Sequence, residues 1–237
     1  MSLLDEIEQR VREEVKQGRV PILLFDIDST LISTKPRNAA IAREFAELGA
    51  ELHPAVSELS TCEAREMGWL VSDALRVRGC DEPEVLDALM AHWFRRFFSG
   101  DILVHDVEVP GAVAFVQAMH EAGALIYYLT GRDAPVMGAG TVQSMHGLGF
   151  PMFRGRVVLH LKPNRSVGDK AYKRGALEDV RSHRGPVVAT FENDPGNANI
   201  FAEGFPEAIH VWMQTEWAPD AEEPSKVLRR LGDFRRD

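Results

Sequence analysis

Apolar side chains recur along the chain in two rhythms. Residues 3–16 place Leu4, Ile7, Val11 and Val15 on one stripe among Glu, Arg and Lys, the spacing of an amphipathic helix, and Gly18 stops it. Residues 20–25 are almost wholly apolar between turn formers, the signature of a parallel strand buried on both faces. The same continuous run returns at 124–129, 157–161, 186–191 and 209–213, with helical spacing between the runs: Val113, Val116 and Met119, then residues 136–148, then a stretch opening near Lys170. Strand and helix in alternation specify an α/β fold with a parallel sheet. Residues 209–213 are expected at its edge, and 227–231 in a terminal helix.

One stretch breaks this alternation. Ile41, Phe45 and Leu48 share a helical face that Gly49 ends, and Ser60 and Glu63 have capping-box spacing ahead of Met67, Leu70, Val71, Ala74 and Leu75. Pro83 then suits a first helical turn before Leu86, Leu89, Met90, Trp93, Phe94 and Phe97. The region has no strong strand signal and is too long for a crossover between parallel strands. It is therefore an α-helical insertion at 34–105, dividing the α/β core into 1–33 and 106–237. Trp93, Phe94 and Phe97 are assigned to the core of the insertion, and Arg95 and Arg96 to a solvated face.

Composition narrows the partners more than the fold. A net charge of −9 over 237 residues argues against broad binding to nucleic acid or to an acidic membrane. Cys62 and Cys80 are too few for a disulfide scaffold and lack zinc-site spacing. The first residues lack the pattern of a signal peptide and no apolar run approaches a membrane span, so a cytoplasmic protein is expected. The oligomeric state is left open.

Candidate chemistry lies at the strand ends, where ligands bind in open α/β sheets. The first strand closes on Asp26 and Asp28, which project to one side with Ile27 turned away, followed by Ser29, Thr30 and Leu31. Two carboxylates on one loop can share a metal, although Asp28, Ser29 and Thr30 alone would also make a polar turn. The strand at 124–129 ends in Thr130, Gly131 and Arg132, a hydroxyl and a backbone N–H suited to a phosphate oxygen. Three lysines follow: Lys162, Lys170 and Lys173. The run at 186–191 closes on Glu192, Asn193, Asp194, Pro195, Gly196 and Asn197, an oxygen-rich end suited to Mg²⁺.

Taken in order, these segments resemble the motifs of the haloacid dehalogenase (HAD) superfamily, with D-x-D-S-T-L first, L-T-G-R second and E-N-D-P-x-N fourth. The fourth departs from the commoner Asp-Asp and Gly-Asp forms. The resemblance implies a Rossmann-like core carrying a helical cap domain, and a Mg²⁺-dependent phosphohydrolase acting on a small phosphorylated metabolite. Asp26 would attack phosphorus to form an aspartyl-phosphate, and Asp28 would carry a proton to the leaving oxygen and then activate water. Thr130, Gly131 and Arg132 would bind the phosphoryl group. Lys170 is the first choice for the site lysine and Lys173 the second, with Lys162 matching a K-P form of the third motif. Mg²⁺ would be held by Asp26, Asp28 and the Glu192/Asp194 pair, one or both of the latter meeting the metal. Rival readings are a haloalkanoate dehalogenase, a phosphotransferase, a phosphonatase needing a lysine in the insertion, and a binding module that has lost turnover.

Overall fold

The computed structural model describes residues 1–236. Helix α1 (Leu3–Lys16) covers the predicted stripe, and a capping box between Ser2 and Asp5 starts it. A six-stranded parallel sheet follows, built from β1 (Ile22–Phe25), β4 (Leu125–Asp133), β5 (Val157–Lys162), β6 (Val187–Glu192), β7 (Ile209–Met213) and β8 (Arg229–Leu231). Its spatial order is β5-β4-β1-β6-β7-β8. The order reverses at β1, between β4 and β6, which is the crevice position for a ligand in a doubly wound sheet.

Successive side chains of the strands point to opposite faces, and each face is covered. Leu23 and Phe25 pack with α1 and α6 (Ala112–Glu121), whereas Ile22 and Leu24 pack with α8 (Asp169–Ser182) and α9 (Pro195–Gly204). Phe25 lies between Phe115 and Phe191, stacked on the latter with centroids 4.6 Å apart. Helix α7 (Ala134–Leu148) completes the layer beside β4.

The chain leaves the sheet through β2 (Ile32–Ser33) and returns through β3 (Val107–Glu108), which pair antiparallel as a short neck. Between them lie α2 (Lys35–Leu48), α3 (Pro54–Glu58), α4 (Asp73–Arg76) and α5 (Pro83–Phe97). These segments share a core of their own around Phe45, Leu59, Leu75 and Leu89.

Several expectations are corrected. Residues 229–231 form the edge strand β8 in place of a terminal helix, so 209–213 lies one strand inside the edge. The helix anticipated beyond Ser60 is broken into two 3₁₀ turns, Leu59–Thr61 and Ala64–Glu66, and the four-residue α4. Gly68, poor in helix propensity, falls at the break. Met67, Val71, Ala74 and Leu75 are nevertheless buried. Leu48 and Phe94, assigned to apolar faces, are exposed. Among the described residues no helix is long and apolar enough to cross a membrane.

Candidate active site

Asp26 follows the last residue of β1, and its neighbours in the sheet bring the ends of β4 and β6 to either side. Register pairs Phe25 with Tyr128 and with Phe191, so Thr130 and Glu192 sit beside the Asp26 loop. Ile27 is fully buried in the core, which turns the carboxyl groups of Asp26 and Asp28 the other way. Ser29 adopts φ 55°, a left-handed conformation uncommon for serine, and bends the chain directly after Asp28. The bend is held by a 2.7 Å bond from Ser29 N to the Ile32 carbonyl and by Thr215 Oγ1, which donates to the Ser29 carbonyl.

Lys173 is the lysine that meets these acids. Helix α8 connects the outermost strand β5 to β6 and must cross the sheet to do so, which carries Lys173 over the end of β1. Its Nζ lies 2.8 Å from Asp26 Oδ1 and 2.6 Å from Glu192 Oε2, with all three side chains buried. Lys170, the first choice from sequence, is not in this group. One helical turn earlier, it faces outward and pairs at 2.6 Å with exposed Glu222. Lys162 stands 3.8 Å from Asp169 at the core side of the cleft.

Burial, then the neighbouring carboxylates, raises the pKa of both Asp26 and Glu192, and Lys173 opposes the shift. Two buried acids thus share one ammonium, a donor set with an excess of negative charge. That set fits Mg²⁺, which commonly takes one or two carboxylates and completes its shell with water and substrate oxygens. Among the described residues no group of three or more His, Cys, Asp and Glu side chains forms a metal cage. Of the two acids left open in the fourth motif, Glu192 is the one beside Asp26. Asp194 Oδ1 instead accepts from Asn197 N at 2.8 Å and caps α9.

Asp28 has a different environment. Arg132 grips it from two nitrogens, at 2.9 and 2.7 Å, and Arg37 Nη2 from α2 donates to Oδ1 at 2.8 Å. Asp106, beside the neck, accepts from both guanidiniums, at 2.6 Å from Arg37 and 2.9 Å from Arg132. Burial alone would raise the pKa of Asp28, but the two arginines outweigh it and hold the carboxyl well below the usual range. The fold thus surrounds Asp28 with cations instead of the dry pocket that would keep a proton on it. Its side chain is 27% exposed and doubly paired with cations. Sequence reading missed Arg37 and Asp106 because each lies outside the motifs, and only folding brings the start of the insertion and its end to one point.

Thr130 is buried, and its Oγ1 accepts from Arg132 N at 3.2 Å, so the second motif continues β4 as far as Asp133, with an irregular register after Thr130. A Cβ on Gly131 would meet Asp169 Oδ1, so a side chain there would require that carboxylate to swing aside. Arg132 is committed to Asp28 and Asp106 rather than free in the cleft.

Above these groups lies a cavity of about 460 Å³, lined by Asp26, Thr130 and Lys173 on the sheet side and by Trp93, Phe97 and Phe98 from the insertion. Trp93 and Phe97, assigned from sequence to core alone, thus also face the cleft.

No protein-family model matches the sequence, and no curated protein matches it. Solved structures do. A HAD-superfamily hydrolase of subfamily IA from Geobacter sulfurreducens aligns with a TM-score of 0.53 at 13% identity, over 91% of this chain and 93% of that one. A Clostridium difficile protein assigned as a phosphatase aligns with a TM-score of 0.55 at 9% identity, over 84% and 87%. Backbone likeness over most of both chains, at identities this low, speaks to architecture. With its six-stranded parallel sheet and carboxylates at the central strand end, the chain has the fold of the HAD-like hydrolases.

Proposed function

We propose that the chain is a Mg²⁺-dependent phosphohydrolase that cleaves a small phosphate monoester in the cytoplasm, with Asp26 as nucleophile. The observation that carries this reading is the placement of Asp26: a carboxylate at the end of the central strand, held with Glu192 on the Lys173 ammonium, beneath a cavity large enough for a small ester. Phosphate esters resist attack because their anionic oxygens repel a nucleophile, so the site must neutralise charge and align the attacking atom.

Lys173 supplies a fixed positive charge beside both the attacking oxygen and the incoming phosphoryl group. Thr130 and the Gly131 backbone N–H offer donors to phosphoryl oxygens. Asp26 attacks phosphorus, the ester P–O bond breaks, and an aspartyl-phosphate forms. A proton that enters with the monoanionic ester passes through Asp28 to the leaving oxygen. In the second half-reaction ionised Asp28 takes a proton from water as it attacks phosphorus, releasing phosphate and freeing Asp26. The Asp26 and Glu192 carboxylates and the Asp28 backbone carbonyl would hold Mg²⁺, which when bound would add charge neutralisation at the phosphoryl oxygens.

A phosphonatase reading lacks its lysine. Lys35, the one lysine in the insertion, does not line the cavity and pairs with Glu216 at 2.9 Å. The direct test is release of p-nitrophenol from p-nitrophenyl phosphate by metal-stripped protein with and without added Mg²⁺. Turnover that appears only with the metal is expected. Equal turnover in chelator contradicts the metal assignment, and none under either condition contradicts the hydrolase reading.

A further inference from the structure

The two ends of the cavity differ in kind. Its basic side chains, Arg132, Lys162 and Lys173, all belong to the sheet end. Two of them are already paired with acids, Arg132 with Asp28 and Asp106 and Lys173 with Asp26 and Glu192. The insertion contributes no basic group to the wall. It presents Trp69, Leu70, Met90, Trp93, Phe97 and Phe98, with the uncharged Thr34 and Asn38 where the insertion leaves the sheet.

This apolar wall is fixed in place from behind. Trp93 and Phe97 stack with centroids 4.5 Å apart, and Phe98 meets both edge-on. Trp93 Nε1 donates to Asn38 Oδ1 at 2.8 Å. The Arg37 guanidinium lies 4.6 Å from the Phe97 ring centre, and Arg165 donates to the Phe98 carbonyl while its guanidinium lies 5.4 Å from that ring. Rings immobilised in this way keep an open apolar face without needing a ligand to order them. A second phosphate or a carboxylate on the substrate would be stripped of water against these rings, and the remaining cation of the wall, Lys162, lies at the sheet end, 3.8 Å from Asp169. A flat apolar group would displace water from them favourably.

Resting on the hydrolase reading for the phosphoryl end, we infer that the leaving group is a flat, uncharged, apolar alcohol, so that the substrate class is arylalkyl or aryl phosphate monoesters rather than sugar bisphosphates, nucleotides or phosphorylated acids. The specificity residues are Trp69, Trp93, Phe97 and Phe98, and none of them takes part in the chemical step.

The test compares 2-phenylethyl phosphate, ethyl phosphate and 3-phosphoglycerate with Mg²⁺ present, since all three leave as alkoxides. In parallel, calorimetry measures binding of the non-hydrolysable 2-phenylethylphosphonate and ethylphosphonate. Burying one phenyl ring is expected to favour the phenylethyl compound by about 10- to 100-fold in kcat/KM, mostly through KM, and by a similar factor in Kd. 3-Phosphoglycerate should be the poorest substrate. Trp69→Ala and Phe98→Ala should each narrow the phenylethyl-to-ethyl ratio, a quantity that partial misfolding leaves unchanged. Equal phosphonate affinities, or a preference for 3-phosphoglycerate, overturns this assignment while leaving the hydrolase reading intact. Selective phosphonate binding without turnover of any ester upholds the pocket and overturns the hydrolase reading.

Discussion

Lys173 decides how the cluster of acids at the sheet end is tolerated. Removing its charge leaves Asp26 and Glu192 buried together without a counter-ion, so Lys173→Met is expected to lower kcat/KM by about 10²- to 10³-fold, the range for losing one preorganised electrostatic group. Lys170→Met, on the outer face of α8 where it pairs with Glu222, should stay within about twofold; steady-state kinetics on both variants checks the pair. Arg37 makes a second case. It is fully buried and bonded to Asp28 and Asp106, so Arg37→Met leaves both carboxylates to Arg132 alone and should cost about 3 kcal/mol in urea-monitored unfolding, the low end for breaking a buried ion pair. Arg37 was not accessible from residue type or motif spacing, and Lys173 was reached only as the second choice. Three lysines stood at plausible distances along the chain, and what separates Lys170 from Lys173 is which face of α8 looks toward the sheet.

At the scale of elements, each strand end also starts the next helix, and the two duties fall on different residues. Asp194 caps α9 while Glu192 faces Asp26. Asp194→Ala is therefore expected to lose about 1 kcal/mol of stability, and Asp194→Ser, which retains a capping oxygen, much less. Both should keep the Mg²⁺ response that Glu192→Gln loses, as read by the metal-induced rise in Tm. In the neighbouring pair β6 and β7, His210 is buried with Nδ1 2.9 Å from Thr190 Oγ1 and Nε2 3.1 Å from the Phe205 carbonyl. Nε2 donates to the carbonyl, while the Thr190 hydroxyl can donate to or accept from Nδ1, and burial lowers the pKa of the ring in the fold. The unfolded chain thus binds this proton more readily, so stability from His210 is complete above about pH 6.5 and is lost as pH falls below it. Thermal unfolding between pH 7 and pH 5 should show a steeper loss for the native protein than for His210→Gln. The strands were legible in sequence because a strand buried on both faces is a continuous apolar run. The segment after Ser60 was not, because its buried positions keep helical spacing while the backbone breaks at Gly68.

Across the whole molecule, strand order converts distant sequence segments into one site. The reversal at β1 sets the ends of β4 and β6 beside Asp26, and the return of α8 across the sheet delivers Lys173. The neck at β2 and β3 places the insertion over that point, with Arg37 and Asp106 tying its two ends to Asp28. The motifs in order were enough to foresee this convergence, whereas the first strand end alone would equally have made a polar turn. The arginine–carboxylate network was not foreseeable, because its members are single residues of ordinary type whose partners lie far along the chain. The central claim is covalent participation of Asp26, and borohydride trapping tests it most directly. Protein quenched during turnover of 2-phenylethyl phosphate with Mg²⁺ and then reduced should yield homoserine at position 26 in the peptide mass spectrum, and Asp26→Asn should yield none. Full turnover with an unmodified Asp26 would contradict the account.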